Sequence, residues 1–140
     1  MKILLPVDGS DYTKRMLGYI AAHDELLSPS HDYTVLTVVA PIPSHASRFI
    51  DRATLDDYYQ EQAERVLKPV RAFIEQRRWN VRLAHACGQA ADKIAECAAD
   101  EKTGLIVMGS HGHGALGNVL LGSVASGVLA RCKVPVLLIR

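Results

Sequence analysis

After Glu101 the sequence contains no acidic residue; all 15 Asp and Glu lie at or before that position. Residues 1–101 also carry 12 Lys and Arg, a net of −3, whereas residues 102–140 carry Lys102, Arg131, Lys133 and Arg140 and net +4. Over the whole chain the formal charge is only +1, so no nucleic-acid, membrane-surface or acidic partner is expected. Cysteine is scarce: Cys87, Cys97 and Cys132 are odd in number and form no Cys-x-x-Cys. That excludes a disulfide framework and points to a reducing compartment. No run approaches the roughly 20 apolar residues that span a bilayer. MKILLPVDGS has one lysine and too short an apolar run before Pro6 and Asp8 for a secretory signal. A cytoplasmic location is expected. There is also no Gly-Lys pair, which removes the P-loop from consideration.

What the chain does have is an alternation of apolar runs with helical spacing. KILLPVDGS (2–10) reads as a buried strand ending in a turn. Ser10 is placed to cap the next helix, whose Met16, Leu17, Ile20, Ala21 and Leu27 share a face. YTVLTVVAP (33–41) is β-branched and nearly continuous, as in a strand covered on both faces. Residues 54–78 repeat at helical spacing, with Thr54 and Asp57 at capping positions and Pro69 expected to kink or split the helix. WNVRLAHACG (79–88) is a third strand, and QAADKIAECAADE (89–101) a helix with Ile94, Ala95 and Ala98 inward. GLIVMG (104–109) is a strand, NVLLGSVASGVLARC (118–132) a helix and VPVLLIR (134–140) a last strand. This order predicts a single α/β domain over residues 1–140, a doubly wound five-stranded parallel sheet of order 3-2-1-4-5. Such sheets bind ligands outside the strands' carboxyl ends, where the strand order reverses. Asp8-Gly9-Ser10 and Gly109-Ser110-His111-Gly112 end the two strands that meet there.

Residues 108–127 hold six glycines. Gly112-His113-Gly114-Ala115-Leu116-Gly117 matches the dinucleotide fingerprint, but no acid follows for a ribose and only one strand remains, so the match is read as chance. Gly109-x2-Gly112-x9-Gly122-Ser123 is more informative. Its first pair allows a tight turn with exposed amides, and Gly122-Ser123 presents amides and a hydroxyl at a helix start, where the dipole favours anions.

That pattern, with Asp8 ending the first strand and PVLLIR ending the chain, resembles the nucleotide-binding branch of the universal stress protein (UspA-like) family. The resemblance runs the length of the chain, through ILLPVDGS, VLTVV, IVMGSHG, LLGSVASGVL and KVPVLLIR. It implies an adenine-nucleotide alpha-hydrolase-like fold and an ATP-binding regulator or sensor of the stress response. Pro6 and Asp8 would flank the nucleoside, with Asp8 near the ribose or a nucleotide-bound Mg or Mn. Val38 would touch adenine, and Met108 and Gly109 the nucleoside. His111, Gly112, Gly122, Ser123 and Val124 would line the phosphate channel. The family also implies a homodimer whose last strands, residues 134–140, pair across a two-fold axis. Two departures are Pro69 and the histidines 111 and 113, at positions where other members often carry arginine; ADP and AMP stay open beside ATP.

Plainer readings exist for each residue. Asp8 could cap the first helix, Gly114 and Gly117 could be loop, and Gly122 could serve packing. His111-x-His113 has no third ligand nearby for a metal, and Tyr58-Tyr59 reads as packing. The alternative function is a slow ATP hydrolase or nucleotidyl transferase of the same fold. A phosphate-accepting receiver lacks its acid and lysine at the ends of strands three and five, and a nucleotide-free dimer would not need the glycine pattern.

Overall fold

The five apolar runs lie side by side. In the computed structural model, which describes residues 1–114 and 119–140, they form β1 (Lys2–Pro6), β2 (Asp32–Val39), β3 (Val81–Cys87), β4 (Leu105–Gly109) and β5 (Val136–Ile139). All neighbours are parallel and the order is β3-β2-β1-β4-β5. The helices are α1 (Asp11–Ala22), the short α2 (Ser44–Ser47), α3 (Arg52–Glu75), α4 (Ala90–Asp100) and α5 (Ser123–Arg131). The Gly112–Gly117 fingerprint match, the loop reading of Gly117 and the Asn118 start of the expected last helix fall partly or wholly on residues 115–118, outside the described residues.

Because side chains alternate along a strand, the continuous apolar runs feed two cores. Ile3, Leu5, Val35 and Val107 meet Met16, Ile20, Leu67 and Val70 beneath α1 and α3. Leu4, Leu36, Ile106 and Met108 meet Ile94, Ala98, Ala125 and Val128 beneath α4 and α5. On that second face a Cβ built on Gly127 would stand 2.6 Å from the Ala91 Cβ. The absence of a side chain therefore sets how closely α5 approaches α4.

Several local expectations change. Leu27 is buried, but it follows α1 rather than belonging to it. The Tyr33 hydroxyl fixes that connection by donating to the carbonyls of Leu27 (2.9 Å) and Ser28 (3.0 Å). Ser10 holds the N-cap position of α1, yet its hydroxyl makes no capping bond and is buried without a partner among the described residues. The turn is closed instead from Asp8, as described below. Helix α3 starts before Thr54, because Asp51 caps it: Oδ1 accepts from the Thr54 amide at 2.9 Å and Oδ2 from its hydroxyl at 2.7 Å. Pro69 does not split α3. Leu67, Val70 and Ile74 are buried on either side of it, and this packing carries the helix past the missing amide. In α4 the inward residues are Ala91, Ile94 and Ala98, with Ala95 only half-buried.

Candidate functional site

At the carboxyl end of β1 the chain turns sharply, and Gly9 takes a left-handed φ of 77° to do so. Asp8 organises the turn. Its Oδ1 accepts from the Ser10 amide (2.9 Å) and the Thr13 hydroxyl (3.0 Å), while its own amide donates to Thr13 Oγ1 (3.1 Å). Thr13 is buried in the first turn of α1, so a helix position fixes the carboxylate. Asp8 Oδ2 faces Gly112, where any Cβ would collide with it. Gly112 is thus a glycine because a carboxylate lies against it.

The second wall grows from β4. Its last residue, Gly109, lies under α1, and a Cβ there would stand 2.6 Å from the Tyr12 Cβ. Buried Ser110 donates its amide to the Ile139 carbonyl (2.8 Å), which ties the loop to β5. His111 Nε2 lies 2.6 Å from the Val119 carbonyl, which can only accept, so Nε2 carries the proton. Nδ1 then accepts from the Ser110 hydroxyl at 3.0 Å. His113 Nε2 likewise donates to the Asp8 carbonyl at 2.7 Å, across the mouth between the two loops.

The third wall is the start of α5. Gly122 is its N-cap residue, but its amide donates to the Ser110 carbonyl at 2.8 Å. A Cβ on Gly122 would press on that carbonyl (3.1 Å) and on His111 Cα (3.0 Å). This corrects the expectation that Gly122 offers its own amide to a ligand: its role here is close backbone packing. The amides that follow, on Ser123, Val124 and Ala125, have no carbonyl within the helix.

These walls enclose a cleft of about 400 Å³ at the carboxyl edge of the sheet, between β1 and β4. Pro6 and Asp8 line it from β1 and the turn after it, Val38 from β2, and Met108, Gly109, His111 and Gly112 from β4 and its loop. Gly122, Ser123 and Val124 line it from α5, so all ten residues singled out in the sequence border one space. Sequence reasoning missed Thr13, whose hydroxyl is one helical turn beyond Asp8, and Ala90 and Ile94, which bring α4 to the apolar side. It also left out His113 as a lining residue. Among the described residues none that lines the cleft is Lys or Arg, and Asp8 is the one carboxylate.

The sequence model of the Universal stress protein family matches residues 1–140. The chain belongs to the universal stress protein family. A Thermus aquaticus relative, universal stress protein in QAH/OAS sulfhydrylase 3'region, is 36% identical over 141 residues, covering 99% of this chain and 97% of its own. The solved structure of MJ0577, from Methanocaldococcus jannaschii, superposes with a TM-score of 0.79 at 25% identity, covering 99% of this chain and 94% of that one. An Arabidopsis thaliana family member with AMP bound shares the fold at a TM-score of 0.67 and 14% identity, over 99% and 90% of the chains. A universal stress protein in complex with cAMP does so at 0.65 and 20%, over 100% and 96%.

In this universal stress protein no group of three or more metal-ligating side chains occurs among the described residues. Asp8 offers a single carboxylate, one oxygen of which already takes two hydrogen bonds. A Mg or Mn ion would fit here only with phosphates and water supplying most of its oxygens. Among the described residues no helix is long and apolar enough to cross a membrane.

Proposed function

We propose that this is an ATP-binding universal stress protein of the cytoplasm, a regulator in the stress response whose nucleotide state sets its conformation or its partners. It would work as a homodimer paired through residues 134–140. The observation that carries the reading is the cleft at the strand-order reversal, with a helix N-terminus as one wall and an apolar flank from Leu36, Val38, Ile94 and Met108. Nucleotide sites of doubly wound sheets lie at such a point, and anions bind at such helix starts. The AMP and cAMP bound by two relatives support adenosine as the class of ligand. The base would take the apolar flank, and the phosphates would meet the amides of Ser123, Val124 and Ala125. Mg or Mn would accompany a triphosphate, with Asp8 contributing one oxygen.

Ser123→Asp tests this reading without endangering the fold. An acid in the first turn of a helix is favourable to the helix, but here it would occupy the place proposed for phosphate. Titration calorimetry with Mg·ATP is expected to show binding to the wild type, weakened about tenfold or more in the variant by charge repulsion. Equal affinity in a variant with an unchanged melting curve would remove the phosphate assignment, and a wild type that binds no adenine nucleotide would remove the reading.

A further inference from the structure

We infer that His113 is a positioning residue of the nucleotide site, a latch that governs how fast ligand enters and leaves; this rests on the nucleotide reading above. The hydrogen bonds at the base of the loop after β4 stay within its own half of the protein, although the His111 ring also lies beside that of Tyr12. Ser110 bonds to Ile139, Gly122 to Ser110, and His111 to Val119. None of these bonds reaches the β1–α1 turn, which forms the opposite wall. Among the described residues one hydrogen bond joins segment 110–114 to that turn, and it runs from His113 Nε2 to the Asp8 carbonyl at 2.7 Å. The residue that accepts it is itself fixed by Thr13 and Ser10, so the latch closes on a rigid post. His113 is exposed and lines the cleft, as do Asp8, Gly112 and Gly114 around it. The ring therefore bridges two cleft walls while contributing little to the core. Parting the walls requires breaking that bond. A bond that must break for both entry and exit alters the two rates together, and the equilibrium affinity less than either.

The test is stopped-flow binding and release of Mg·mant-ATP, a fluorescent ATP, with wild type, His113→Ala and His113→Gln. The glutamine amide nitrogen can replace Nε2 as donor to the same carbonyl. Release from His113→Ala is expected to be about three- to tenfold faster, as for the loss of one ordinary hydrogen bond. Association should also quicken, and His113→Gln should stay near wild type. In ligand-free protein, amide exchange over residues 110–114 should be faster in His113→Ala and near normal in His113→Gln. Release at the wild-type rate from a well-folded His113→Ala protein would overturn the latch and leave the nucleotide site standing. Equal acceleration in His113→Gln would also overturn it, since the donor would then be irrelevant. Failure of the wild type to bind mant-ATP and unlabelled Mg·ATP alike would instead remove the nucleotide reading, and the latch with it.

Discussion

His111 and His113 sit two residues apart, and each donates a ring N–H to a backbone carbonyl in a different part of the protein. In a sequence they look like a metal pair or a pair of phosphate-binding cations. In the fold His111 has both nitrogens occupied, one by Ser110 and one by Val119, so neither is placed to act as a general base. Among the described lining residues no Lys or Arg stands ready to meet charge on a leaving phosphate. Main-chain amides bind ground state and transition state about equally, which does not speed chemistry. ATP hydrolysis, measured as phosphate release, is therefore expected far below the ~1–10³ s⁻¹ of metabolic enzymes, and little changed in His111→Ala. Turnover on the order of one per second or faster, abolished by Asp8→Asn, would make the hydrolase the better account. The glycines show what a sequence reveals at this scale. Their spacing drew notice to residues that border the cleft, but Gly112 is shaped by the Asp8 carboxylate and Gly122 by the Ser110–His111 backbone. Those neighbours lie far off in the chain or across a loop, so the reason for each glycine was not legible.

Strands were the most legible elements, because a run buried on both faces is apolar throughout and needs no partner to be recognised. The same independence explains the sheet order: short connections and right-handed crossovers leave few alternatives. Helix starts were less legible. Asp51 and Thr54 both carry capping chemistry, and Asp51 takes the cap with Thr54 as its donor, a pairing that residue type alone does not choose. Bonding to the Thr54 amide and hydroxyl holds the Asp51 carboxyl below the usual carboxylate range. A lowered value in the fold means that the cap's charge stabilises α3 above the ordinary carboxylate range. That contribution fades as acid protonates Asp51 through its lowered value. Asp51→Asn keeps a side-chain acceptor but removes the titration. Thermal melts from roughly pH 6 down to pH 3 should show a shallower acid loss in the variant than in the wild type. Parallel curves would mean that the charge on Asp51 contributes nothing to α3.

At the scale of the molecule, the sheet has two edge strands of opposite character. β3 exposes Arg82 and His85, polar groups that discourage pairing with another chain. β5 has no charge between Val134 and Ile139. The carbonyls of Pro135 and Ile139 accept from Ile106 and Ser110 of the β4 strand and its exit. By alternation, the backbone groups of Val136 and Leu138 point away from the sheet, toward any second copy. Proline is tolerated on an edge strand where its missing donor faces outward. Leu138→Pro should therefore shift a dimer toward monomer in sedimentation at micromolar concentration, with β4–β5 pairing intact by melting curve. A wild type that sediments as a monomer, or a folded variant that stays dimeric, would show that β5 is not the contact.

The strand at the centre of the sheet, β1, precedes the other four in the chain. β1 can find β2 early, but the Asp8 carbonyl waits for a histidine 105 residues downstream. The helix start that completes the cleft emerges from the ribosome later still. A chain that stopped just before α5 would hold most of the core beneath α1 and α3 and lack the helix start that forms the third wall of the cleft. If the cleft holds nucleotide as proposed, ligand would stabilise only copies that include α5, leaving those that stop short of it to proteolysis.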